Sequence, residues 1–97
     1  MKQITIKTID GDALVDATVY GDWAVHRSYK SWTITHVPTG YSAFRQTKTK
    51  KAAVILVKRL NATGLDFNRT KTDMQTNATI QDIIVPIYKA WEMEFFL

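Results

Sequence analysis

The chain has 97 residues, 45% of them apolar and 23% charged, and a formal net charge of +4. That length suits one domain with one core rather than two. The absence of cysteine excludes a disulfide framework, a cysteine-bearing zinc site and a thiol nucleophile. No run of about 18 apolar residues occurs, so no transmembrane helix is expected. Met1-Lys2-Gln3-Ile4-Thr5-Ile6 lacks the apolar stretch of a secretory signal, and a cytoplasmic location is the expectation.

The first half carries strand patterns. Ile4, Ile6 and Thr8 alternate with Thr5 and Lys7, the period of a half-buried strand. Asp10-Gly11 is a hairpin turn signal, and Ala13 to Tyr20 follows with Ala13, Val15, Ala17 and Val19 on one face. Gly21-Asp22 punctuates the pattern. Trp23 to Ser28 and Trp32 to Val37 form two more strands joined around Tyr29-Lys30. Pro38-Thr39-Gly40 makes a turn, and Tyr41 to Arg45 is a short fifth strand. All these links are tight, so an antiparallel meander is the economical arrangement.

The second half carries helical patterns. Thr47 or Thr49 caps a helix over Lys50 to Asn61, in which Ala52, Ile55, Leu56 and Leu60 recur at helical spacing and Lys51, Lys58 and Arg59 take the other side. Gly64 suits a left-handed position after the helix, and Leu65 and Phe67 are expected to fold back onto the core. Residues 68–78 are polar and read as a loop. Thr79-Ile80-Gln81-Asp82 resembles a capping box with Asp in place of Glu. Ile80, Ile83, Ile84, Ile87, Trp91 and Phe95 then keep helical period. Pro86 falls inside that run, removing a backbone donor and clashing with the Asp82 carbonyl, so a kink or two short helices is expected; the unbroken apolar phase favours the kink. The expected fold is α+β: a meander sheet of about five strands followed by two helices on one face.

Charge is unevenly spread. From Arg27 to Lys71 ten basic residues face Asp66 alone, a net +9, whereas the remainder sets three lysines against eight acids, a net −5. Such asymmetry points to an anionic partner, DNA or RNA or an acidic protein surface; a solvated basic face is the plainer alternative. Its densest part is Arg45-Gln46-Thr47-Lys48-Thr49-Lys50-Lys51, which leads from the last strand into a helix. Helix N-terminal amides attract anions. Cations there oppose the macrodipole, a conflict that a bound phosphate relieves.

Catalytic and metal constellations are not apparent. A short connection at Tyr29-Lys30 pairs Arg27 with Trp32, Val25 with Ile34 and Trp23 with His36, which sends His26 and His36 to opposite faces. Asp10, Asp12, Asp16 and Asp22 crowd turns without the distal Glu of a calcium loop. The four glycines are scattered, and no nucleophile elbow is present. The expectation is no enzyme, no metal and no cofactor. The face with Trp23, Val25, Trp32 and Ile34 reads either as core or as a base-stacking platform. Core is favoured, because the opposite face is small and polar and suits solvent. Tyr29 and Tyr41, near turns, are the better exposed stacking groups. At the C-terminus Trp91 reads as core, and Phe95, Phe96 and Leu97 are interface candidates, a homodimer included.

A curved antiparallel sheet followed by a helix resembles the Whirly and Pur families of single-strand-binding modules. Trp32-Thr33-Ile34-Thr35-His36 running into Phe44-Arg45-Gln46-Thr47-Lys48-Thr49-Lys50-Lys51-Ala52-Ala53 is similar to small phage-encoded domains and to integrase arm-type DNA-binding domains, over residues 23–61. The two N-terminal strands and the helix after Thr79 depart from the arm-type pattern. The resemblance implies a nucleic-acid-binding accessory protein of a phage or mobile element. Phosphates would meet Arg45, Lys48, Lys50 and Lys51, with Arg27, Tyr29 and Lys30 extending the surface and Lys58 and Arg59 as secondary contacts. Two alternatives stand beside it: a phage-encoded, anti-CRISPR-like inhibitor that binds a host defence protein, and a structural subunit that oligomerises through its C-terminus.

Overall fold

A computed structural model of the chain describes residues 1–96; Leu97, one of the interface candidates, lies outside the described residues. Five strands, β1 (Lys2–Thr8), β2 (Gly11–Tyr20), β3 (Trp23–Ser28), β4 (Ser31–His36) and β5 (Ser42–Thr47), form one antiparallel meander in sequence order. Three helices follow: α1 (Lys50–Asn61), α2 (Lys71–Thr76) and α3 (Ala78–Phe96). The α+β class and the five-stranded meander are as the sequence indicates.

The central hairpin has the expected register. Trp23 pairs with His36, Val25 with Ile34 and Arg27 with Trp32. This parity places Trp23, Val25 and Ile34 beneath the helices, where they are buried with Leu56, Leu60, Phe67 and Trp91. The apolar stripe of α1 supplies Ala52, Ala53, Leu56, Val57 and Leu60 to that core, while Lys51 and Lys58 remain exposed. His36 ties the chain after α1 to the sheet. One ring nitrogen meets the Phe67 carbonyl, which can only accept, so Nε2 carries the proton; Nδ1 meets Thr39 Oγ1 at 2.9 Å.

The opposite face is not solvated, contrary to the expectation. Ala24, His26, Thr33 and Thr35 are all buried. The cause is the length of β2. Its first part pairs with β1 and its last three residues pair with β3, so one strand belongs to both halves of the sheet. The β1–β2 hairpin curls over, and the Lys7 amide donates to the Gly40 carbonyl in the β4–β5 turn at 2.8 Å. Glycine suits position 40, since its φ of +75 would strain another residue and a Cβ would crowd the Thr5 carbonyl oxygen at 3.2 Å. Ile4, Ala17 and Ala24 form a second small core, edged by Ile6, Val15, Val19 and Val37.

Other departures are local. The first hairpin loop is Ile9-Asp10, with Gly11 following at φ +108, rather than Asp10-Gly11. Residues 68–78 are not all loop. Thr70 Oγ1 accepts from the Asp73 amide and starts α2, and Arg69 pairs with Asp73 at 2.9 Å. The cap of α3 is Asn77, whose Oδ1 accepts from the Ile80 amide at 3.2 Å, and not Thr79. Asn and Thr both suit the position, and the local pattern does not separate caps two residues apart. Pro86 lies within one continuous α3 and does not split it.

Candidate nucleic-acid interface

The basic segment is built on an irregularity in β5. Ile34 pairs with Ala43, but Trp32 pairs with Thr47, so Thr33 alone opposes Phe44, Arg45 and Gln46. Such a bulge re-aims side chains. Phe44 takes φ +67, an unusual conformation for a residue with a Cβ. Its ring is carried against Trp23 and Tyr88, at centroid distances of 5.4 and 5.2 Å. Gln46 turns the other way: its amide donates to Thr33 Oγ1 at 3.1 Å and its carbonyl accepts from Ser31 Oγ at 3.2 Å.

After the bulge the chain is pinned for the helix. Thr47 is buried, and its hydroxyl donates to the Thr49 carbonyl at 2.7 Å. Thr49, the extended N-cap, accepts from the Ala52 amide at 3.3 Å. Of the two caps that the sequence offers, Thr49 therefore caps α1 and Thr47 holds the approach. The first turn has no acidic residue. Lys50 and Lys51 occupy the two helical positions where a carboxylate would be favoured. A groove of about 830 Å³ opens beside this turn, lined by Arg45, Gln46, Lys48, Thr49, Phe95 and Phe96 among others.

Of the nine side chains proposed from sequence, the eight cations fall into two groups. Among the described residues, Arg27, Lys30, Lys48, Lys50, Lys51 and Lys58 have no carboxylate partner. Arg27 and Lys50 both approach the half-buried Trp32 ring, at 5.6 and 5.7 Å from its centroid, and so join the β3–β4 hairpin to the start of α1. Tyr29, 89% exposed at the hairpin tip, has Lys30 Nζ 5.6 Å from its ring. Arg45 and Arg59 behave differently. Arg45 lies 3.6 Å from Glu92 and covers the Phe96 ring at 4.1 Å, and Arg59 meets Glu94 at 2.8 Å. Both acids project from α3, so these arginines tie that helix to β5 and α1. Lys58, near the other end of α1, approaches the Tyr20 ring at 6.0 Å.

The C-terminal aromatics also separate. Trp91 is buried, and its indole donates to the Ala52 carbonyl at 2.9 Å. Phe96 is half-buried against Trp91, edge to face at 5.2 Å, whereas Phe95 is 36% exposed. Tyr41 is exposed under Lys71 Nζ, at 4.1 Å.

Neither histidine belongs to this surface. His26 Nε2 meets Thr35 Oγ1 at 2.9 Å, and Ser28 links His26 to Thr33. Burial pushes the His26 pKa below its ordinary 6.5, outweighing the upward pull of the Arg27 carbonyl. Burial, with the Glu92 charge second, raises that of Tyr88. Among the described residues no three of His, Asp and Glu gather to hold a metal ion, and no helix is long and apolar enough to cross a membrane.

Sequence reasoning missed three contributors to this surface: the Phe44–Gln46 bulge, the Trp32 ring as the meeting point of two cations, and the acids that occupy Arg45 and Arg59. The only signal for the last was that Glu92 and Glu94, the sole glutamates, sit on the helix that must pack against the basic segment. No family model matches the chain, and comparison with the curated proteins and with the solved structures found no match.

Proposed function

We propose that the chain is a small non-enzymatic nucleic-acid-binding protein whose phosphate-contacting surface runs from the β3–β4 hairpin tip to the N-terminus of α1. The observation that carries this reading is the gathering of Arg27, Lys30, Lys48, Lys50 and Lys51, none with a carboxylate partner among the described residues. Two of them share one aromatic ring. Lys50 and Lys51 sit where the helix field opposes them. A phosphate backbone supplies the negative charge that both circumstances lack, and helix amides can add to it. Tyr29 offers an exposed ring beside Lys30 for a base or sugar. Arg45, Arg59 and Lys58, expected from sequence among the contacts, take lesser parts: the arginines are held by α3, and Lys58 lies toward the far end of α1.

The test is binding as a function of salt. Five phosphate contacts give an affinity that falls about 500-fold between 50 and 200 mM salt on duplex DNA, from a slope of about −0.9 per contact. Gel-shift titrations at the two salt concentrations, on DNA and on RNA, measure it. No complex with either polymer at 50 mM rejects the reading. A complex with a slope near zero also rejects it, because phosphates would then not be the contacts.

A further inference from the structure

The outward face of α3 is apolar for a helix turned to solvent. The helix buries Ile80, Ile84 and Trp91 against the core. At 100° per residue its opposite side carries Ala78, Asp82, Val85, Pro86, Lys89 and Met93, and all six are exposed. Such a face is ordinarily charged and polar, but Ala78, Val85, Pro86 and Met93 are apolar, and Met93 is 65% exposed. A groove of about 410 Å³ runs beside it, lined by Arg59, Ala62, Pro86, Ile87 and Ala90. Its one charge, Arg59, is already paired with Glu94. The two charges on the face itself are one of each sign, and neither Asp82 nor Lys89 has an ion-pair partner among the described residues. Seven residues, two helical turns, separate them, so they lie on one line about 10 Å apart and out of each other's reach. Their midpoint falls between Val85 and Pro86.

We propose that this face docks a second copy of the chain, α3 against α3, antiparallel about a two-fold axis at Val85 and Pro86. A two-fold contact must be complementary to itself, and the charge spacing meets that condition. With the axis at the midpoint, Asp82 faces the partner's Lys89 and Lys89 faces the partner's Asp82. Two ion pairs then flank an apolar centre in which Val85 meets the partner's Pro86 beside the groove. Ala78 comes opposite the partner's Met93, a small residue against a large one. A parallel pair in register would instead set Asp82 on Asp82 and Lys89 on Lys89, which repel. One helix face per copy makes a small interface, below about 1,200 Å² in total, so the dimer is reversible, with a dissociation constant on the order of 100 μM.

Sedimentation equilibrium on the full chain, at concentrations up to about 1 mM, measures the association. Asp82→Lys and Lys89→Asp should each weaken it about tenfold, because each change turns both pairs repulsive. The double variant, with the two charges exchanged, should return to within about twofold of the parent, since both pairs re-form with their signs reversed. A chain that stays monomeric at the highest concentration overturns the proposal. Single variants that associate as the parent does overturn it as well, and so does a double variant that stays weak. Cysteines read the geometry separately, since the chain has none of its own. Val85→Cys, next to the axis, should form a disulfide between copies on oxidation. Ala78→Cys should not, because antiparallel packing holds its two copies about 22 Å apart at a rise of 1.5 Å per residue. Crosslinking through both positions would mean parallel helices and overturn the proposal, and no crosslink through Val85→Cys would do the same. All four positions are exposed, so none of these changes touches the core.

Discussion

The two ends of α1 carry similar numbers of cations and use them in opposite ways. At the C-terminal end Lys58 and Arg59 lie in the last turn, where the helix field favours positive charge, and Arg59 is paired with Glu94. At the N-terminal end Lys50 and Lys51 follow Lys48, the field opposes them, and no carboxylate answers them among the described residues. The first set contributes to folding, and the second is a standing electrostatic cost within the fold alone. Net charge cannot make this distinction. Position on the helix axis and the acids of the neighbouring helix make it.

The largest test of the comparison reverses the N-terminal set. Lys48, Lys50 and Lys51 changed together to Glu should cut nucleic-acid affinity at 50 mM salt at least a hundredfold and lower the magnitude of the salt slope by about 2.7, three contacts' worth. Stability should hold or rise, by up to about 1 kcal/mol, since carboxylates suit the first turn and the Lys50–Trp32 contact that is lost is a loose one. Gel shift and urea denaturation on one preparation read both. A variant that loses stability along with binding would show the lysines to be structural.

Next in size are the caps. Thr49→Ala and Asn77→Ala should each cost about 1 kcal/mol, by loss of the bonds to the Ala52 and Ile80 amides. Thr79→Ala should change stability by less than about 0.5 kcal/mol, and a cost equal to that of Asn77→Ala would return the cap to Thr79. Smaller again is Arg59→Ala. Its pair with Glu94 is half-exposed, so about 0.5 kcal/mol is the expected loss, with affinity for nucleic acid changed less than twofold.

The smallest effect concerns His26 and separates the two faces of the sheet. Its folded pKa lies below 6.5 because burial disfavours the charged ring. The unfolded chain therefore binds the proton more readily, and stability is complete above pH 6.5 and declines as pH falls through 6.5 toward the folded-state value. Urea midpoints at pH 7.5 and 5.5 measure the decline. His26→Gln, which keeps a polar group facing Thr35, should flatten it; an undiminished decline would assign it to other groups.

Much of this fold is legible in the sequence because its elements are locally specified. Tight turns fix the β3–β4 register, and that register alone separates His26 from His36. The apolar stripe and threonine cap set α1 at Lys50–Asn61. The burial of the polar face is not legible there, because Ala24, Thr33 and Thr35 look like solvent-facing residues. A trace of the answer was present: carried through the Tyr20–Trp23 pairing, the β2 alternation puts Val15, Ala17 and Val19 on the face of Ala24 and His26, so that face had apolar residues to bury. Alternation assigns residues to faces without saying how far a ten-residue strand bends, and it is the bend that brings Ile4 onto Ala17 and Ala24.

The basic surface divides in the same way. Which residues are cationic, that they cluster before and along α1, and that Lys50 and Lys51 begin a helix can all be read along the chain, because charge and helical period are local properties. Which cations remain without a partner among the described residues follows from packing alone. Glu92 and Glu94 lie more than thirty residues beyond Arg45 and Arg59 along the chain, and α3 must pack across β5 and α1 before those carboxylates reach them. Pairing across such a separation depends on where the helix core places α3, and neither charge sign nor spacing encodes that placement.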